Sequence, residues 1–218
     1  LKEKLLSSFI VFENELNGQA STPIHEIRRE ALKTFEELGF PTKRHEEWKY
    51  TNLKPILKHD FKIFPKTEKA IEFKDVKRYF LNEVDTYKIV FINGVYSSWL
   101  SETSHVNYDV CTFNAATKKY AEVLEKHFSS IAPKDEAMVA LNTAFAKDGA
   151  FIRVPKNQVV NKPIEVVYLT TDEGRELMIQ PRNLVIAEQG AQVQITERHQ
   201  SLSTSMVFTN SVTEIYAD

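Results

Sequence analysis

Apolar residues recur every three or four positions through the front of the chain, and at every second position or in short unbroken runs through the back. Leu1, Leu5, Phe9, Phe12 and Leu16 share one face of a helix that Asn17-Gly18 closes. Thr22 is placed as an N-cap, with Pro23 at the first helical position. Ile24, Ile27, Ala31, Phe35 and Leu38 form the buried stripe of that second helix, and Gly39 and Pro41 stop it. Phe73, Val76 and Phe80 predict a short helix over 72–82. The run YKIVFI, then Asn93-Gly94, then VYSSWL reads as a β-hairpin. A third strand is expected over 106–113. Helices follow over 117–128, on Tyr120, Leu124 and Phe128, and over 133–147, on Met138, Leu141 and Phe145, and Gly149 ends the last one.

Beyond Gly149 the helical period does not return. FIRVP, QVV, PIEVVYLTT, ELMIQ, RNLVIAEQGAQVQITERHQ and STSMVFTNSVTEIYAD are all strand-like, and Val193 and Ile195 alternate with polar neighbours as in a strand with one wet face. With no helices between strands, a βαβ sheet is excluded, because its parallel neighbours need crossover helices. A sandwich, a barrel or a β-solenoid remains, and no strict repeat period is visible. The chain stops within an apparent strand, VTEIYAD. An end of that kind would leave a raw strand edge, so a continuation beyond Asp218 is expected.

Composition narrows the chemistry. The chain has 218 residues, a net charge of −2, 42% apolar residues and one cysteine. That balance gives no overall electrostatic case for nucleic acid or membrane surfaces. A lone thiol fits a reducing compartment. No stretch reads as a signal peptide or a membrane span, so a cytoplasmic protein is expected. The six histidines, His25, His45, His59, His105, His127 and His199, have no metal-ligand spacing and read as surface or capping residues. Cys111 reads as a small buried hydrophobe. Phosphate-loop, dinucleotide and nucleophile-elbow motifs are absent. No catalytic, cofactor-binding or metal-binding residue is expected.

Two alternatives need weighing. Asp172, Glu188 and Glu197 are the carboxylates from which a carbohydrate-active β-helix enzyme would draw its pair, though sequence does not bring them into one cleft. Residues 41–69 carry eight Lys/Arg against four acids, interleaved with Trp48, Tyr50, Phe61 and Phe64. That stretch would serve a nucleic-acid-binding module, but exposed lysines between buried rings is the favoured reading.

The stretch FPTKRHEEWKYTNLKPIL resembles the N-terminal signature of the SufB/SufD family of the SUF iron–sulfur cluster assembly machinery, on its SufD side. The matching positions are Pro41, Arg44, Glu46 or Glu47, and Trp48, Lys49, Tyr50 and Thr51. The blocks 140–168, 181–199 and 208–218 are similar as well. The resemblance implies an α+β fold: a mainly helical N-terminal domain with a small β-hairpin over 1–147, then the first coils of a right-handed parallel β-helix over 148–218. It implies a non-catalytic scaffold that pairs with SufB and enlists the ATPase SufC, with self-association through the β-helix as a further option and no nucleic-acid or membrane partner. An iron–sulfur cluster would be transient cargo of the whole complex, with no cofactor held here. The signature itself is expected to pin the helical hairpin to the domain that comes after it. Trp48 and Tyr50 would bury their rings, and Arg44 would pair with Glu46, Glu47 or a group outside the motif.

Overall fold

The computed structural model describes residues 1–16, 22–65, 71–103 and 107–218. Helix α1 (Lys2–Glu15) buries Leu5, Phe9 and Phe12, as its stripe predicts. The expected Asn17-Gly18 stop, Val106 and His105 lie outside the described residues. Helix α2 (Pro23–Leu38) starts at Thr22 with Pro23 in its first turn. Its buried face is rotated from the expected one. Ile24 and Phe35 are buried, but so are His25 and Arg28, while Leu38 is 49% exposed. The α2 helix meets three other helices rather than one, so the covered arc is wider than its apolar stripe.

The helix expected over 72–82 is a single turn, α3 (Phe73–Val76), continued by a 3₁₀ turn. Strands β1 (Tyr87–Ile92) and β2 (Val95–Tyr96) form the expected hairpin. Asn93 and Gly94, at φ 52° and 79°, supply the two left-handed residues its two-residue turn requires. Strand β3 (Asp109–Thr112) comes next. The helix expected over 117–128 is two short helices, α4 (Phe113–Lys119) and α5 (Ala121–His127), broken at Tyr120. Tyr120 stacks on Phe151 and donates its hydroxyl to Asp109, which holds the break in place. Helix α6 (Ala137–Ala144) is capped by the Glu136 carboxylate, which accepts from Val139 N–H at 2.7 Å.

The back half is all strand: β4 (Ala150–Val154), β5 (Ile164–Thr170), β6 (Leu177–Ile179), β7 (Arg182–Ala187), β8 (Ile195–Ser201), β9 (Val207–Thr209) and β10 (Val212–Ala217). Each strand from β4 to β7 pairs in parallel with the third strand after it, giving β4–β7–β10, β5–β8 and β6–β9. The register sets Phe151 opposite Leu184, Ile164 opposite Ile195, Leu177 opposite Val207 and Arg182 opposite Val212. These offsets run from 30 to 33 residues, which is why no strict period shows in the sequence. Parallel neighbours are reached without crossover helices, because the chain passes through the other two sheets before returning.

The front half covers the first edge of this stack. β1 lies parallel to β5, from Tyr87 opposite Ile164 to Ile92 opposite Leu169. β3 lies antiparallel to β4. Lys62 bridges to Leu177 of β6, with its N–H on Glu176 O at 2.8 Å and its carbonyl accepting from Met178 N–H at 3.0 Å.

The interior between the two larger sheets holds Ile89, Phe91, Ile152, Ile164, Val166 and Val185. Helical pieces cover the outer faces. Phe113, Leu124 and Phe128 lie over Phe151, Leu184 and Ile186, while Val76 and Phe80 lie over Val90 and Val167. β5 is therefore buried along its whole length and β7 along all but its last residue, as expected of parallel strands covered on both faces. Gly149 fits where no side chain would, since a Cβ there would sit 2.0 Å from Arg182 O.

Candidate functional site

Two features dominate the described residues: a set of buried ion pairs that joins helices to strands, and the opposite, uncovered edge of the stack. Arg182 of β7 is fully buried. It donates to Glu214 of β10 at 2.5 Å, to Thr143 Oγ1 at 2.8 Å and to Asn142 Oδ1 at 3.2 Å, and its guanidinium lies 4.8 Å from the centre of the Phe128 ring. Glu214 also accepts from the backbone N–H groups of Ser129, Ile131 and Ala132, at 2.9–3.1 Å. Burial works to raise the Glu214 carboxyl, and Arg182 with these N–H donors more than offsets it, so the group stays below the usual carboxylate range.

A second pair repeats the plan in the other large sheet. Buried Glu165 of β5 accepts from Leu81 N–H at 3.0 Å, Thr86 Oγ1 at 3.1 Å and Arg198 of β8 at 3.3 Å. In both cases an acid on one strand grips the backbone of the covering loop and an arginine on the neighbouring strand. Sequence reading missed both. The available signal was an Arg or Glu on an otherwise apolar alternating face, as in Arg182-x-Leu184-x-Ile186.

At the far edge, β8, β9 and β10 are the outermost strands of the three sheets. Val185, Val193, Ile195 and Ile215 line an open concavity of ≈ 770 Å³ there, and Ile215 is 61% exposed. The side chains become polar toward this edge. Val166 and Tyr168 of β5 face Glu197 and His199 of β8. A chain of hydrogen bonds runs from Tyr168 OH to Asn183 at 2.5 Å, from Asn183 Nδ2 to Thr213 at 3.1 Å and from Thr213 to Glu197 at 2.7 Å, and Glu197 and His199 lie 2.9 Å apart. The Tyr168 and His199 rings stack at 4.8 Å.

The carboxylates weighed for glycoside chemistry are each committed elsewhere. Asp172 accepts from Gly174 N–H, Thr204 and Ser205; Glu188 holds Arg153; Glu197 belongs to the chain just described. All three sit below their ordinary range. For Asp172 and Glu188 the leading causes are the Gly174 N–H and Arg153. For Glu197, burial pushes upward and its donors prevail. A general acid needs the opposite shift. Asp148 has it, pushed up to about 6 by burial against the pull of the Gly149 and Asn114 N–H groups. Its Oδ1 accepts from Asn114 N–H in the first turn of α4 at 3.3 Å and from Gly149 N–H at 3.0 Å, and among the described residues no second carboxylate is hydrogen-bonded to it.

Among the described residues, no group of three or more His, Cys, Asp or Glu is placed to hold a metal ion. Cys111 is half-buried in β3, and burial pushes its thiol up to about 11. His25 is neither a surface nor a capping residue. It is fully buried, stacked on Phe9, with Nε2 2.7 Å from Glu13.

The signature 41–51 departs from expectation in part. Pro41 is buried and Trp48 half-buried against the helical core, as an anchor should be. Tyr50, however, is 90% exposed, with Lys49 Nζ 5.2 Å from its ring centre. Lys49, not Arg44, forms the ion pair with Glu46, and Arg44 and Glu47 are exposed with no ion pair among the described residues. Two short turns, at 42–45 and 46–49, direct these side chains outward, because only Pro41, Trp48 and Leu53 reach the core.

Residues 1–166 match the family model described as the SufBD protein N-terminal region. The chain belongs to the SufBD family. An iron–sulfur cluster assembly SufBD family protein of Synechocystis is 31% identical over 213 residues, which is 92% of this chain and 46% of that protein. A Staphylococcus aureus protein described in the same words is 32% identical over 99 residues, covering 45% of this chain and 20% of its own length. A Pyropia yezoensis relative is 28% identical over 124 residues, covering 54% and 25%. The chain thus spans about half the length of the Synechocystis relative and less of the others. These matches are to the SufBD family as a whole and do not separate SufD from SufB. No helix among the described residues of this SufBD chain is long and apolar enough to cross a membrane.

Proposed function

We propose that this SufBD chain is a non-catalytic scaffold in cytoplasmic iron–sulfur cluster assembly, of the SufD kind. Its back half would be the opening coils of a right-handed parallel β-helix, set behind a mainly helical domain over 1–147. In this reading it pairs with SufB, or with a second copy of itself, and enlists the ATPase SufC. The cluster is then the complex's transient cargo. The observation that carries the reading is the strand order: each strand from β4 to β7 pairs in parallel with the third one on. Such a stack presents a long rigid surface for association and orders no reacting groups. The names of the relatives supply the process, cluster assembly. The described side chains support a structural role, since buried Glu165 and Glu214 are taken up in ion pairs and backbone hydrogen bonds, and Glu197 in hydrogen bonds to Thr213 and Ser211.

Anaerobic affinity purification of the tagged full-length native protein, with mass spectrometry of what co-purifies, tests it. Recovery of an ABC-type ATPase together with a second SufBD protein is the expected result. Recovery of the protein without either, or with glycan-cleaving activity of its own, overturns the reading.

A further inference from the structure

The exposed part of the signature is built as a contact surface and not as a structural seam. Its backbone is fixed by its own hydrogen bonds. Thr42 N–H donates to His45 Nδ1 at 3.0 Å, Arg44 N–H to Thr42 Oγ1 at 3.3 Å, Thr51 N–H to Trp48 O at 2.9 Å and Lys54 N–H to Asn52 Oδ1 at 3.2 Å. Buried Pro41 and Leu53 hold the two ends, and half-buried Trp48 holds the middle. On this fixed strap Tyr50 projects with nine-tenths of its surface in solvent. An isolated exposed apolar residue is ordinary, but a large ring on a pre-ordered backbone near an exposed arginine has the residue types enriched at interface hot spots.

The charges say what kind of partner fits. Among the described residues, exposed Lys43, Arg44, Lys54 and Lys58 have no ion-pair partner, and of the acids of 42–58 Glu46 is paired with Lys49 and Glu47 is not paired. This local surplus of positive charge stands on a chain whose net charge is −2. We infer that residues 42–58 form a docking surface for an Asp/Glu-rich protein segment, with Tyr50 as its central contact. A nucleic-acid strand suits the surface less. Single-strand grooves use successive stacking rings, and here one ring is free while Trp48 is turned to the core. The acidic remainder of the chain also opposes a long polyphosphate. The inference is independent of the scaffold reading, because it rests on the strap alone.

Fluorescence anisotropy of the purified chain with fluorescein-labelled poly-L-glutamate tests it, with labelled oligo(dT) in parallel. Four proteins are compared: wild type, R44E/K54E, Y50A, and a control of equal net charge, K33E/K118E, which reverses exposed lysines on α2 and α4. Poly-L-glutamate should bind wild type and weaken as salt rises. Affinity should fall roughly tenfold in R44E/K54E and about threefold in Y50A, with the control within about twofold of wild type. Thermal melts of all four should coincide. Absence of poly-L-glutamate binding to wild type, or an equal loss in the control, overturns the proposal. Tighter binding of oligo(dT) than of poly-L-glutamate assigns the strap to nucleic acid instead. A lowered melt in Y50A returns the ring to a structural role.

Discussion

The two edges of the strand stack are made of the same kind of element and live in different surroundings. At the first edge, β5 is sandwiched between β1 and β8, its interior partners are Ile89 and Phe91, and all seven of its residues are buried. At the last edge, β8 has β5 on one side and no strand on the other among the described residues, and its residues alternate between half-buried and exposed. The residues beside the strands change as well, passing from buried Ile, Val and Phe to buried Tyr168 and Asn183 and then to exposed Glu197 and His199. A layer is dry when it has a layer on each side. Where one side is open, polar groups must be hydrogen-bonded to one another or to water. Buried ion pairs then decide how firmly the covering helices hold the strands that remain partly open.

The largest expected effect lies in that joint. Glu214→Ala leaves Arg182 buried and charged and frees three backbone N–H groups, so it should cost about 3–5 kcal/mol in urea unfolding. Arg28 offers the contrast. It is also buried, but among the described residues its hydrogen bond is to Ala146 O at 2.7 Å, its Nε and Nη1 have no hydrogen-bond partner, and burial pulls its pKa down to about 10. Arg28→Met should therefore be near neutral, and a loss as large as that of Glu214→Ala would erase the distinction between a paired and an unpaired buried charge.

The next effect compares the edges directly. Leu169→Ala in the covered strand should cost about 2–5 kcal/mol. Ile215→Ala at the open edge should cost less than about 0.5 kcal/mol in this chain, because its side chain is already in water. Equal losses would mean that the open edge is covered in solution. Gly149→Ala comes next. Its Cβ would strike Arg182 O at the covered side, and the shift should cost about 1–3 kcal/mol, read as a lowered urea midpoint.

The last effect is a pH slope. The folded Asp148 carboxyl, at about 6, lies above its ordinary 3.8, so the folded state binds the extra proton. Its contribution to stability is complete below pH 3.8 and is lost as pH rises through about 6. Glu13, Glu188, Glu197 and Glu214 act in the opposite sense: their contribution is present above the ordinary carboxylate range and is lost as pH falls. Asp148→Asn keeps the acceptor for the Gly149 and Asn114 N–H groups. The stability difference, wild type minus variant, should therefore fall by about 1–2 kcal/mol from pH 4 to pH 7. A flat difference would show Asp148 to be well solvated.

Much of the local structure was legible in the chain. The Leu5-Phe9-Phe12 stripe, the Pro23 start of α2, the Asn93-Gly94 hairpin and the loss of helical period after Gly149 are each set by contacts between residues a few positions apart. The candidate site was legible only at its anchors, Pro41 and Trp48. Tyr50 reads as a core ring from its composition, and its exposure comes from how the strap turns between those anchors.

By itself, then, the sequence determined the helical front, the strand-only back and the family, because periodicity, turn residues and ordered motif blocks are properties of neighbouring positions. Tertiary structure alone decided that β1 lies beside β5, that Lys62 closes the edge of β6, that Tyr120 divides a helix, and that Arg182 meets Glu214 across 32 positions of chain. The physical reason is that strand pairing and charge pairing draw on backbone groups and side chains common to every strand. Their partners are chosen by which faces must be buried together, and no spacing along the chain records that choice.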